Sequence, residues 1–272
     1  MTNFKLQHFA EITGIGAASG LVFFNKSLYI IGDNSGFLYQ YHIETKELQK
    51  YPLIENASEN ILKKDKPDFE SITLHNNKLY VFGSGSTKNR DKRVNFNLKN
   101  QEVKQKNVSE LYQKFKETAN ISNQDLNLEG SFYSNENLYM FNRGNGEKSK
   151  NGVFIYKKST REVSFIPISL LKIQHIETSF TDAILVNNKI YFLATAEDTT
   201  STYDDGEILG SIIGRIDIET FAIDFTQQIS ENQKFEGLTL FSILENKIKF
   251  LLCEDNDTEE LLSNIYQLSI EI

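Results

Sequence analysis

Along most of the chain, apolar residues come in short runs, many alternating with polar ones, and the runs are broken at close intervals by Asn, Lys, Gly and Thr. A period of two with turn residues at each break predicts strands rather than helices. "GLVFF" and "SLYII" flank Asn25-Lys26, a hairpin-turn composition, and "GFLYQYHI" (36–43) and "ELQKYPLI" (47–54) follow. These segments predict a four-stranded antiparallel meander. The pattern then returns as "SITLH", "LYVFG", "RVNFNL" (93–98) and "EVKQKNV" (102–108), and again as "GSFYS", "LYMFN", "GVFIYK" (152–157) and "EVSFIPISLL" (162–171). A fourth unit reads "AILV", "IYFLAT", "SIIGRIDI" (211–218) and "FAIDFTQQI" (221–229). The fifth offers only "GLTLFSI", "KIKFLLC" and "NIYQLSI" (264–270). One stretch breaks the rule: Leu111 and Phe115 fall one turn apart behind Ser109 as a candidate N-cap, which predicts a short helical insertion over 109–119.

The units start near Ser19, Glu70, Glu129, Thr181 and Glu236, at spacings of 51, 59, 52 and 55 residues. A nearly fixed period of this size, with a four-stranded meander in each unit, is the signature of a β-propeller. The expected fold is therefore all-β: one five-bladed propeller domain over residues 1–272. The fifth unit lacks an outermost strand, and "FKLQHFAEI" (4–12) has no hairpin partner beside it, so the N-terminal strand is expected to complete the last blade and close the ring. Two packed β-sandwich domains are the alternative.

Composition narrows the partners. The net charge is −8 with a pI near 5.2, and Lys and Arg do not cluster, which argues against a nucleic-acid partner. No apolar run approaches membrane-spanning length. Cys253 is the only cysteine and sits in a hydrophobic run, so it reads as a buried thiol. "MTNFKLQHFAEITG" has no cationic segment followed by an apolar stretch and a cleavage site, and the expected compartment is the cytoplasm, the expected state a monomer.

The candidate chemistry lies at the unit starts. In a propeller the first strand of each blade lines the central channel. Alignment on Tyr29, Tyr80, Tyr139 and Tyr191 places Ser19, Glu70, Glu129 and Thr181 in equivalent positions, with Glu236 ahead of the fifth strand. One acid beside a glycine is ordinary turn chemistry, but three carboxylates and two hydroxyls facing one narrow space would repel unless they took up protons or held a cation. Hard oxygen donors without His or Cys select Ca²⁺. Asp182, one residue out of register, is a companion candidate to Thr181.

A second polar ring follows the second strands: Asp33 with Asn34, Ser84 with Ser86, Arg143, Glu197 with Asp198, and Glu254 with Asp255. Arg143, the one cation among these acids, is the residue type that holds a phosphate or carboxylate. A small-molecule or phosphorylated ligand at the channel mouth is the partner this rim implies; a solvated, salt-bridged loop is the plainer reading. "GSGSTKNR" (83–90) lacks the ending and following helix of a phosphate-binding loop, the four His share no zinc or triad spacing, and the acidic loop 197–207 reads as a solvated lid.

"SGLVFFNKSLYIIGDNSGFLYQY", "FESITLHNNKLYVFGSGS", "LEGSFY…FNRGN", a Thr-led fourth unit and "KFEGL" together resemble the calcium-activated nucleotidases, or soluble apyrases, which are five-bladed propellers with a Ca²⁺ in the central channel. They also resemble uncharacterised bacterial propellers related to esterase-like phytases. The first resemblance implies channel ligands in the order hydroxyl, Glu, Glu, hydroxyl, Glu, on Ser19, Glu70, Glu129, Thr181 and Glu236. It further places Asp33, Arg143 and Glu197 near nucleotide-handling positions, as candidate catalytic residues. The chain departs from that family in lacking the Glu-Trp motif of the second unit, since it has no Trp. Two functions stay open: a ligand-binding propeller with a channel Ca²⁺, and a Ca²⁺-dependent phosphohydrolase.

Overall fold

A computed structural model describes residues 4–146, 148, 150–199, 206–256 and 260–271. Strand β1 (Phe4–Thr13) stands first. The first blade is β2 (Ala18–Phe24), β3 (Ser27–Gly32), β4 (Phe37–His42) and β5 (Leu48–Pro52). The second is β6 (Phe69–His75), β7 (Lys78–Gly83), β8 (Lys92–Asn97) and β9 (Val103–Asn107), followed by helix α1 (Ser109–Ala119). The third comprises β10 (Leu128–Ser134), β11 (Asn137–Asn142), β12 (Gly152–Lys157) and β13 (Glu162–Pro167), and a two-stranded ribbon, β14 (Lys172–Ile173) and β15 (Ile176–Glu177), comes after it. The fourth blade is β16 (Ser179–Val186), β17 (Lys189–Asp198), β18 (Glu207–Asp217) and β19 (Ile223–Ser230). The last has β20 (Lys234–Leu244), β21 (Lys247–Asp255) and β22 (Leu262–Glu271), with β1 antiparallel to β22 as its outer strand.

Each blade is thus a four-stranded antiparallel meander, and the first strands touch in the closed cycle β2–β6–β10–β16–β20–β2. The fold is a five-bladed propeller. Its innermost hairpins turn at Asn25-Lys26, Asn76-Asn77, Asn135-Glu136 and Asn187-Asn188, all with φ between 47° and 64°. Positive φ at both central residues is the type I′ geometry, whose twist matches that of the flanking strands, and Asn tolerates it better than most residues. The fifth hairpin is longer because its strands are longer, with an extra bulge at Phe241; its turn still spans two residues, Leu244 pairing with Lys247.

Packing explains why the units cannot stand alone. Five apolar clusters sit in the five clefts between successive blades, so every blade shares its two faces with its neighbours. Phe180, for instance, lies edge-on between Phe141 of the third blade and Phe192 of its own. The cleft between blades two and three is filled partly by α1: Phe115 stacks on Phe154 at 4.5 Å, and Tyr112 donates its hydroxyl to the Gly83 carbonyl at 2.8 Å.

Two details differ from expectation. The N-cap of α1 is Val108 rather than Ser109, and it is Asn107 Oδ1 that accepts the Ser109 N–H, at 2.9 Å. Residues 162–171 do not form one strand. The ladder ends at Pro167, which lacks the N–H needed to continue it, and Ile168, Leu170 and Ile173 turn inward onto the third cleft.

Candidate functional site

The five residues expected to face the axis share a backbone feature. In the first blade Ala18 pairs with Gly32 and Gly20 with Ile31, so Ser19 is skipped. The same slip omits Glu70, Glu129, Thr181 and Glu236 in the other four. Each is the extra residue of a β-bulge, which re-aims its side chain out of the sheet alternation and toward the axis. Small residues following the bulge let the inner strands meet: a Cβ on Gly130 would stand 2.6 Å from the Ala183 nitrogen, and one on Gly237 would stand 2.9 Å from the Gly20 Cα.

The ring's members take on different tasks. Ser19 Oγ donates to the Phe69 carbonyl at 2.5 Å, and Thr181 Oγ1 donates to that of Phe235 at 2.6 Å. Both hydroxyls therefore lace a blade to the next. Asp182 does so too, accepting the Leu238 N–H of the fifth blade and the Ala183 N–H, both at 2.7 Å, so its carboxylate is committed to backbone; burial raises its pKa well above the usual range. Asp182→Ala leaves the Leu238 N–H buried without an acceptor. It is expected to lower unfolding stability by roughly 1–3 kcal/mol in urea titration, with Asp182→Asn, which keeps an acceptor oxygen, losing less.

Glu129 and Glu236 share an internal cation. Arg143 Nη1 lies 3.3 Å from Glu129 Oε1 and 3.6 Å from Glu236 Oε1, Nη2 is bonded to Glu197, and Nε donates to Ser179 Oγ at 3.3 Å. Lys234 Nζ bridges Glu236 at 2.9 Å and Asp255 at 3.1 Å. Arg143 is only 5% exposed, and although burial works against its charge, the three glutamates hold its proton more tightly than usual. The free rim cation suggested by the sequence is thus a buried strut with its guanidinium spent on carboxylates.

The opposite side of the channel is organised around Asp68. Lys66 pairs with Asp33 and, at 2.8 Å, with Asp68; Arg90 reaches Asp68 at 2.7 Å, and Ser84 donates to it as well. Carboxylate oxygens of Asp33, Asp68 and Glu70 lie within 4.8 Å of one another. Asp33 Oδ1 and Glu129 Oε2 are buried without a hydrogen-bond partner, and the Lys66 charge acts on Glu70 as well as on Asp68 and Asp33. Burial, then the charges of Glu129, Asp68, Asp33 and Glu236, push the Glu70 carboxyl well above its usual range; burial also raises Asp33, Glu129 and Glu236.

Asp68, Lys66, Arg90 and Lys234 escaped the sequence reading. A signal was present for two of them: counting two residues back from each bulge gives Asp68, Asn127, Ser179 and Lys234 in blades two to five, all buried and polar. The second ring was out of step in the fourth blade. Pairing of Phe180 with Ala194 makes Thr195 the counterpart of Arg143, and Glu197 enters the network because β17 runs further, past a bulge at Leu209 of β18. Residues 200–205 of the acidic loop lie outside the described residues. No helix among the described residues is long and apolar enough to cross a membrane.

Bulged first strands carrying an acid-rich ring around the axis define this molecule as a five-bladed β-propeller with a charged channel. Within that class, the chain belongs to a family of unknown function, DUF6929, whose match covers residues 14–270. In structure it is similar to a member of the DUF4221 family from Bacteroides vulgatus, with 9% identity over 98% of both chains and a TM-score of 0.49. It is also similar to a chain of a nidogen/laminin complex, with 9% identity over 87% of this chain and 74% of that one and a TM-score of 0.47. No curated protein matches the sequence.

Proposed function

We propose that this protein is a ligand-binding propeller whose channel holds a divalent cation, Ca²⁺ by its donor set, on Glu70 and Asp33 beside Asp68, with Glu129 behind them. The observation that carries this reading is the uneven charge of the channel. Asp33, Asp68, Glu70, Glu129, Glu197, Glu236 and Asp255 face Lys66, Arg90, Arg143 and Lys234, and Asp33 Oδ1 and Glu129 Oε2 are buried without a hydrogen-bond partner. A 4.8 Å span suits oxygens on opposite sides of a Ca²⁺, whose ligand distances are about 2.3–2.6 Å. The cation would supply positive charge to Asp33 Oδ1, Glu70 and Glu129 Oε2 and an open coordination position to a ligand entering the mouth. Ser19, Thr181 and Glu236 then serve as the frame of the ring, holding neighbouring blades and Lys234.

Binding is favoured over phosphoryl hydrolysis because the hydrolytic reading needs Arg143 to meet a phosphoryl oxygen, and its guanidinium is engaged by Glu129, Glu197 and Glu236. Calcium at a hundredfold excess over its Kd should stabilise the fold by about 2.7 kcal/mol, read as a rise in melting temperature that is reversed by chelator and abolished in Glu70→Gln. The pH dependence has a fixed sign. A carboxyl whose pKa is raised by folding contributes stability below its unfolded pKa and loses it as pH rises through the folded one. In chelator the melting temperature should therefore fall as pH rises above the ordinary carboxylate range and Glu70, Glu236, Glu129 and Asp33 are forced to ionise. Calcium should restore most at the alkaline end. A melting temperature indifferent to calcium and chelator at every pH would overturn the reading.

A further inference from the structure

The three carboxylates that would offer the channel cation its oxygens already meet one of the chain's own charges. Lys66 Nζ is bonded to Asp33 Oδ2 and lies 2.8 Å from Asp68 Oδ1, and Glu70 is the third carboxylate whose charge acts on it. These are the same three residues whose oxygens fall within 4.8 Å of one another. An ammonium is a compact point charge with three donors, so in this position it does for the triad part of what a metal ion would do. It carries half the charge of Ca²⁺, however. Asp33 Oδ1 and Glu129 Oε2, the latter on the carboxylate whose charge acts most on Glu70, stay buried without a hydrogen-bond partner.

Lys66 is placed to leave, and its neighbouring cation is not. Arg90 divides its guanidinium among Asp68 at 2.7 Å, Ser86 Oγ at 2.7 Å and the Lys63 carbonyl at 3.2 Å. Lys66 reaches its acids on a flexible four-carbon stem. The side chains of Lys66 and Asp33 are 11% and 21% exposed, against 4% for Asp68, so the triad opens to solvent on the Lys66 side. The backbone next to it is held independently of the ammonium: the Asp68 N–H donates to the Asp33 carbonyl at 3.1 Å, and the Asp68 carbonyl accepts the Ser84 N–H at 2.9 Å. A swing of the Lys66 side chain therefore vacates the space between the carboxylates without dispersing them.

We infer that Lys66 is a tethered competitor for the channel cation: Ca²⁺ enters among Asp33, Asp68 and Glu70 by exchange, and the Lys66 ammonium moves out to solvent at the mouth. The inference rests on the calcium reading of the channel and makes Lys66 the residue that sets the affinity of that site. Only molecules with the ammonium displaced accept the ion, so the apparent affinity is reduced by the fraction in that state, and deleting the amine tightens binding. Isothermal titration of the full chain with calcium chloride should give a dissociation constant at least about tenfold lower for Lys66→Met than for the parent. Lys64→Met, which removes an equal charge from an exposed neighbour, should leave it unchanged. On the unaltered chain, acylation by a limiting N-hydroxysuccinimide ester, mapped by mass spectrometry, should modify Lys66 faster in calcium than in chelator, the reverse of the protection a ligand usually gives. Binding by Lys66→Met with none by the parent would support occupancy of the site by Lys66 while overturning calcium binding by the natural chain. Parent binding that is equal or weaker in Lys66→Met, or Lys66 acylation no faster in calcium, would overturn the exchange and leave the calcium reading standing. Absence of binding by both proteins would overturn both.

Discussion

Removing residues through Thr13 should leave a protein that does not fold to a soluble monomer. Strand β1 is the outer strand of the last blade, and its loss strips β22 of its antiparallel partner from Leu262 to Ile270. It also removes Ile12 from the cleft between the last and first blades and Phe9 from its edge contact with Phe241. A full strand's ladder, at about 0.5–1.5 kcal/mol per hydrogen bond, together with that apolar burial comes to the order of 5–10 kcal/mol, comparable to the whole stability of an ordinary domain. The exposed β22 is then an open edge that pairs with other chains. Expression of the truncated chain should give aggregated protein by size-exclusion chromatography, and a synthetic peptide of residues 2–15 added during refolding should recover monomer. A soluble, cooperatively melting truncation would refute closure by β1.

Arg143→Ala should be the most damaging single substitution in the channel. It leaves Glu129, Glu197 and Glu236 without the cation they share, and breaking a buried pair from one side costs about 3–5 kcal/mol, because the remaining charge is uncompensated. For a chain of this size that is a fall of roughly 10 °C or more in melting temperature. The deficit should shrink as pH is lowered, because burial raises the Glu129 and Glu236 carboxyls and their protonation removes the stranded charge. Arg143→Lys should recover only part, since one ammonium does not reproduce a fork that reaches three carboxylates and Ser179. Combining Arg143→Met with Glu129→Gln, Glu197→Gln and Glu236→Gln should recover more than the lysine does, because it removes the stranded charges rather than the cation alone. Equal stability of Arg143→Ala and the parent would show that the network carries no net charge-balancing role.

The same residue shows how a motif acquires a different meaning once folded. "FNRGNG" presents an arginine in a glycine-rich loop, and nothing within ten residues on either side of it supplies a carboxylate except Glu136 and Glu147. Its partners come from positions 14, 54 and 93 residues away in the chain, on blades three, four and five. Lys66 is similar. It stands in the acid-and-lysine run "KKDKPDFE", which reads as a solvated loop, yet it is bonded to Asp33 of the preceding blade. Charges placed by the ring closure meet partners that no local window contains.

By itself the sequence determined the repeat, the number of blades, the strand that closes the ring and five equivalent positions on the inner strands. These rest on local physics: period-two burial, Asn-led two-residue turns and a spacing set by four short strands, all of which act over a few neighbouring residues. Only the tertiary structure decided that those five positions are bulges, that two of their hydroxyls and Asp182 lace blades together, and that Arg143 and Lys234 pair with Glu129 and Glu236 while Lys66 and Arg90 gather on Asp68. Each of those outcomes is a Coulomb or hydrogen-bond pairing across blades, falling off within a few ångströms in space and independent of distance along the chain. Such pairings exist only once the ring is closed.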